Sequence, residues 1–348
     1  MIENTVYVLG AGFTRAFVPE APLLVDDYKT QSLRERFEYF PYAKTILDDA
    51  FAEFGDGRVD LERLMTRVNG MPYDTADARR EFALVEIALR QALVERLTQA
   101  KSGVVDRERL SAFARVIRET KASIVTFNYD DVLDAALYHD AQMQNHVLDP
   151  HLWEPDGGYG FYCRPSRACV ADVPAYMGNT HTLLLKLHGS INWRSRLGEG
   201  TTYGPAGILH HEDWLQLRVE FRQPDYSRIE SHLEPEPFIV PPVLAKSQLT
   251  THPVLSVVWA LAHERLKAAQ NVVFIGYSLP GTDLAARTLF RESLVSKAGR
   301  KISVVDYPSN HDSSKRLVQT YRSLFPELSD ANFDFSGACE WLDNRLGE

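Results

Sequence analysis

The feature that most constrains this chain is a set of five apolar runs, each closing on glycine or polar residues. They are TVYVLGAGFT (5–14), ASIVTFNYDD (122–131), TLLLKLHGS (182–190), NVVFIGYSLPGTD (271–283) and KISVVDYPS (301–309). Runs apolar on both faces are what parallel strands covered by helices look like. Apolar residues at three- and four-residue spacing fill 59–68, 80–100, 106–119, 131–139, 253–269 and 283–297, and this spacing predicts helices. Alternation of strand and helix predicts an α/β protein with a doubly wound parallel sheet. The core strands are expected near 5–10, 122–127, 182–187, 271–276 and 301–305. In such folds ligands bind outside the carboxyl ends of the strands, at the switch point. All five runs place their polar or glycine residues there, so together they describe one rim.

The remaining stretches set the organisation. A helical insertion is expected at about 55–120. Two regions, about 139–180 and 195–236, lack the alternation and are rich in Pro, Gly, His and aromatic residues. They read equally as loop-rich excursions over the site and as surface decoration. We expect one domain over 1–348. The formal net charge of −9 argues against nucleic acid as a direct partner, since phosphate neutralisation needs a basic face, and against an anionic membrane surface. No apolar stretch approaches the ~20 residues needed to span a bilayer. The N-terminus carries Glu3 before a strand-like run, unlike a signal peptide. Three cysteines, Cys163, Cys169 and Cys339, form no CxxC pair, and the expected compartment is a reducing cytoplasm.

Two turns carry candidate chemistry. LGAGFTR places Gly10 and Gly12 behind the first strand, where glycines let backbone approach a pyrophosphate at a helix N-terminus, and Thr14 adds a hydroxyl. The pattern GxGxxG is broken by Arg15, and no strand ends in an acid about 20 residues later, so the dehydrogenase fingerprint is absent. In LLLKLHGS, His188 stands where a buried strand runs out. It reads as a base delivered to the rim or as a core histidine on a carbonyl, and the common rim favours the first. Asn128 alone reads as a turn residue, Asp130 as an N-cap for helix 131–139, and Asp283 as a cap for the helix after it. HHED (210–213) reads as a helix start rather than a metal set. Cys163, Cys169 and His181 lack a common zinc spacing. The basic stretches RERF and Arg79–Arg80 read as solvated helix faces.

In order, GAGFT, TFNYD, KLHGS and GYSLPGTD resemble the motifs of the sirtuin-like NAD-consuming family, most of all its bacterial anti-phage branch of NAD hydrolases. The likeness covers the core strands, about half of the chain. It implies that Gly10, Ala11, Gly12, Phe13 and Thr14 form the phosphate turn. It places Asn128 and Asp130 at the nicotinamide ribose, His188 as the catalytic histidine, Gly276 and Ser278 against the dinucleotide, and Asp306 at the adenosine ribose. Deacylating sirtuins carry two zinc-binding CxxC pairs, which this chain lacks, and AFVPEAPLL (16–24) stands where their loop follows the glycine turn. Both departures turn the expectation away from deacylation and towards cleavage of the nicotinamide–ribose bond, with NAD as substrate and no metal. The leaving group is already cationic, so the chemistry needs a held sugar, nearby negative charge and a base rather than an acid. A histidine titrates where such a base works. A protein deacylase or ADP-ribosyltransferase and a non-catalytic NAD- or ADP-ribose-sensing module are the competing expectations. The family also implies a homo-oligomer and a separate ATPase or nuclease partner.

Overall fold

The computed structural model describes residues 4–26, 28, 35, 37–38, 40–53, 58–70, 75–143, 152–164, 167–170, 182–196, 208–210, 233–241, 252–281, 283–295 and 299–347. The chain divides into two compact units. One comprises Met1–Phe17, Val105–Ile239 and Gln248–Glu348, and the other Val18–Val104 and Val240–Ser247.

The first unit opens with β1 (Thr5–Leu9) and α1 (Ala11–Phe17). The second unit contains β2 (Val25–Asp26), α2 (Pro41–Ala52), β3 (Val59–Asp60), α3 (Leu61–Gly70) and the long α4 (Ala76–Ser102). Its two short strands pair antiparallel. Within it α2 is tied to α4 by the buried Glu81, whose carboxylate accepts the Ala43 amide at 2.7 Å.

The first unit resumes with α5 (Arg107–Thr120), β4 (Ser123–Thr126), α6 (Val132–Met143), α7 (Pro155–Gly158), the antiparallel pair β5 (Tyr162–Arg164) and β6 (Arg167–Val170), β7 (Leu184–Lys186), β8 (Gly189–Arg196), β9 (Ile208–His210) and β10 (Leu233–Ile239). It ends with α8 (Pro253–Ala268), β11 (Asn271–Ile275), α9 (Leu284–Leu294), β12 (Lys301–Val305), α10 (His311–Leu324), β13 (Phe333–Asp334) and α11 (Ala338–Gly347). The central sheet has six strands in the order β13-β12-β11-β1-β4-β7, and every pair in it is parallel. Numbered along the chain, this is the order 3-2-1-4-5-6 of doubly wound dinucleotide folds, whose order reverses beside the first strand. All five residues of β1 are buried, as β-branched and aromatic side chains covered on both faces should be. Helices α5 and α10 begin at side-chain caps: Asp106 accepts the Arg109 amide and Asn310 that of Ser313.

All five expected core strands are present, and β13 is a sixth. At two residues it is too short to show a period in the sequence. Within the excursions, β5 and β6 pair antiparallel, and β9 and β10 flank β8 in an antiparallel sheet. Pro235 and Pro237 interrupt the pattern of LEPEPFI, and proline has no amide for a ladder. The strand tolerates them because it lies at the sheet edge, with register shifts on both sides of Pro237. Among the described residues no helix is long and apolar enough to cross a membrane.

Candidate active site

The glycine turn closes on backbone rather than standing open. The Gly12 amide donates to the Gly276 carbonyl at 2.9 Å, and the Gly10 amide to that of Ile275 at 3.1 Å. A Cβ on Gly10 would lie 2.5 Å from the Gly276 oxygen, and one on Gly12 would lie 2.9 Å from Gly276 Cα. Gly276, at φ +59, would put a Cβ 2.1 Å from the Phe13 amide nitrogen. Three glycines therefore bring the β1–α1 turn and the end of β11 into contact, main chain to main chain. The Phe13 side chain is buried against Phe17 and Phe113, at ring distances of 4.9 and 5.2 Å. Ala11 is exposed at the start of α1.

Across β1 lies a chain of hydrogen bonds. The Asn128 amide nitrogen donates to the Gly10 carbonyl and to Thr14 Oγ1, both at 2.9 Å. Thr14 in turn donates to Asp130 Oδ2 at 2.7 Å. A carbonyl can only accept, so the Gly10 contact fixes which end of the Asn128 amide is nitrogen and turns its oxygen away from the turn. Asp130 Oδ1 accepts the Val132 amide at 3.1 Å at the head of α6. The cap expected of Asp130 and its place beside Thr14 are thus both present. Burial pushes the Asp130 carboxyl above the usual range, against the lowering effects of Lys186, the Thr14 hydroxyl and the Val132 amide.

Beneath this chain sits a second buried cluster. Lys186, from the end of β7, donates to the Asp130 carbonyl and to Asp134 Oδ2, the latter at 3.1 Å. Tyr159 donates its hydroxyl to Asp134 Oδ1, and Asn192 donates to the Tyr159 oxygen at 3.0 Å. A cavity of about 10 Å³ lies among Thr14, Asn128, Asp130, Asp134 and Lys186, on the order of one water molecule in size.

His188 follows β7 directly. The Leu187 amide still bonds to the Thr126 carbonyl, and Gly189, at φ +78, then turns the chain into β8. A Cβ there would stand 2.3 Å from the Phe238 carbonyl oxygen of β10. This answers why a histidine is followed by glycine: the parallel strand must give way at once to an antiparallel one. His188 is at the carboxyl edge, as expected, but only 5% exposed. Its ring meets Phe127 edge-on at 5.2 Å and lies near Tyr129 and Trp259, at 6.1 and 6.5 Å. Its Nε2 faces Asp283 Oδ2 at 3.5 Å. Asp283 also caps α9, its Oδ1 accepting the Ala286 amide at 3.1 Å. The reading of Asp283 as a cap is correct and incomplete, because each carboxylate oxygen has its own task.

The structure thus joins Gly10, Gly12, Thr14, Asn128, Asp130 and Gly276 in one connected group, with His188 at the next strand end. Ser278 is exposed. Asp306 stands at the end of β12, two strands along from β1. Its Oδ1 accepts the Tyr307 amide at 2.7 Å, and burial raises its carboxyl above the usual range. Sequence reasoning gave no role to Asp134, Lys186, Phe127, Tyr129 or Trp259. Lys186 was visible as a charge inside an otherwise apolar run, which is rare unless the charge is paired. Trp259 comes from α8 and gave no local sign. Among the described residues no His, Cys, Asp or Glu group could hold a metal. His181, residues 211–213 of HHED and the side chains of Cys163 and Cys169 lie outside the described residues.

No family model matches the chain, and neither does any curated protein. Among solved structures it is similar to a Sir2 protein bound to a propionylated peptide, at 13% identity and a TM-score of 0.40 over 99% of this chain and 92% of that one. It is also similar to a Sir2 enzyme described for its mechanism and regulation, at 14% identity and TM-score 0.43 over 99% and 92%. A Sir2 homolog in complex with NAD aligns at 14% identity and TM-score 0.43 over 94% and 91%. The fold class itself stands on the strand order and register.

Proposed function

We propose that this chain is an NAD glycohydrolase that cleaves the nicotinamide–ribose bond to give nicotinamide and ADP-ribose. The observation that carries the reading is the strand order 3-2-1-4-5-6, with Asn128 and Asp130 at the carboxyl edge next to β1, where the order reverses, and His188 at the end of β7, its ring facing Asp283 behind β11. The four motifs that resemble the NAD-consuming family lie on that edge. A site of this kind supplies what the reaction asks for. The carboxylate of Asp130, linked to the edge through Thr14, puts negative charge behind the position of a developing oxocarbenium ion. The Asn128 oxygen accepts from a ribose hydroxyl or from the attacking water. Asp283 favours the proton on Nε2 of His188 and so orients an imidazole that takes a proton from water or from a ribose hydroxyl. The aromatic rings around His188 exclude bulk water from the imidazole.

Asp306 belongs to the same proposal as the partner of the adenosine ribose, as do Ala11, Phe13 and Ser278 at the dinucleotide. So do the setting in bacterial anti-phage defence as an NAD-depleting effector, the homo-oligomer and a separate ATPase or nuclease partner. The test is incubation of the purified protein with NAD, following nicotinamide and ADP-ribose. Release of both in equal amounts is expected. Absence of release with the protein folded overturns hydrolysis. Consumption of NAD only when an acetylated peptide is added redirects the reading to deacylation.

A further inference from the structure

The ion pair between Lys186 and Asp134 is the feature that the hydrolytic scheme leaves without a task. Its side chains are 1% and 2% exposed. A pair so buried is a weak device for stability, because desolvating two charges offsets their attraction, and apolar replacements are often neutral or better. Its contacts point to another use. The Lys186 ammonium reaches the main-chain carbonyl of Asp130 as well as the Asp134 carboxylate, so it holds the turn that presents Asp130 to Thr14. The groups that face the Asp130 carboxyl are the Thr14 hydroxyl from α1, the Val132 amide of α6, Lys186 from β7 and Asp134 from α6. The ammonium thus bonds to the Asp134 carboxylate and to the Asp130 main chain, and the Asp130 carboxyl lies within its electrostatic reach.

We infer that Lys186 is a positioning residue: it fixes the Asp130 turn and supplies the counter-charge that keeps the Asp130 carboxylate anionic behind Asn128 and Thr14, while Asp134 competes for that charge. The inference rests on the NAD-cleaving reading. An opposite charge at close range favours ionisation and a like charge opposes it. Removing Lys186 therefore lets Asp130 take up its proton at higher pH, and removing the Asp134 charge does the reverse. A neutral Asp130 loses the charge that favours a cationic transition state, so kcat should respond and KM much less.

The experiment is the pH profile of kcat for NAD cleavage in the full chain. Asp134→Asn keeps the shape of the side chain and an oxygen for the Tyr159 hydroxyl, and its acid limb is expected at lower pH than in the parent. Lys186→Met leaves Asp134 a buried charge without its counter-ion, so it destabilises the fold. The double variant K186M/D134N restores charge balance and thermal stability. Its acid limb is nevertheless expected about one to three pH units above that of D134N, the range an adjacent opposite charge produces. Restored stability together with the D134N profile overturns the inference and makes Lys186 structural. An acid limb that stays in place in D134N overturns it as well, and that arm needs no variant at Lys186. A parent that releases no nicotinamide removes the NAD reading and this role with it. A parent that does so while the limbs stay fixed removes only the role.

Discussion

The two halves of the carboxyl edge are built differently. At β1 and β11 the turns meet main chain against main chain, with Gly10 and Gly12 against Gly276. Around the end of β4 side chains make the links: Asn128 and Asp130 to Thr14 behind β1, and Lys186 at the end of β7 to the Asp130 carbonyl. The first contact tolerates no added atom, so it is a packing device. The second is held by hydrogen bonds and charge rather than by close approach, so it is a chemical one. His188 joins the halves, for it follows β7 while its carboxylate partner, Asp283, follows β11. A glycine motif at a first strand is thus no proof of a phosphate cradle. Here part of the glycine requirement comes from a neighbouring strand, and the Gly12 amide is already engaged.

If this contrast holds, the halves respond to substitution in different observables. The largest effect is expected for His188→Ala, with NAD cleavage falling about 10²–10⁴-fold as for loss of a general base and far-UV circular dichroism unchanged. A folded variant cleaving at the parent rate would falsify the role of His188. Next comes Gly276→Ala, which meets the Phe13 amide at 2.1 Å with φ at +59. A stability loss of at least about 2 kcal/mol is expected from the strained conformation and the clash together, read by chemical denaturation. Parent-like unfolding there would mean that the turns separate easily. Asp283→Asn keeps the α9 cap, since Asn caps as well as Asp, but removes the negative charge facing His188. The expected result is an unchanged melting temperature with kcat about 10- to 100-fold lower, the worth of a charge-assisted hydrogen bond. A variant that loses both together would make Asp283 a structural cap alone.

The smallest effect tests the far end of the edge. The Asp306 carboxyl is raised by burial, so the folded state disfavours its charge. Stability from this group is lost as pH rises from the ordinary carboxyl pKa through the raised one, and is regained as pH falls back through that window. Asp306→Asn removes that penalty, so the variant should melt above the parent at neutral pH, and the gap should close on acidification. The same carboxylate opposes a 2′-phosphate by like charge. The parent is expected to cleave NAD in preference to NADP by at least about tenfold, and the variant to narrow this preference. Equal specificity constants for the two dinucleotides in the parent would leave Asp306 as a turn residue holding the Tyr307 amide.

The sequence by itself determined the strands and the edge. Burial on both faces forces continuous apolar runs, and a run's polar end marks its carboxyl terminus, so β1, β4, β7, β11 and β12 and the placement of Asn128, Asp130 and His188 were legible. Parallel order was legible only as a class, because nothing local says which strand lies beside β1. Tertiary structure decided everything that depends on neighbours distant in the chain. Asp283 stands 95 residues after His188, and its sequence showed only the local cap, which it also makes. Gly12 and Gly276 are paired by strand order, and either alone looks like an ordinary turn. Lys186 could be seen as an anomaly, but its partners, Asp134 and the Asp130 carbonyl, appear only when β7 is laid beside β4. Local periodicity reports which face is buried. It does not report what the buried face touches, because that is set by the pairing of strands far apart in the chain.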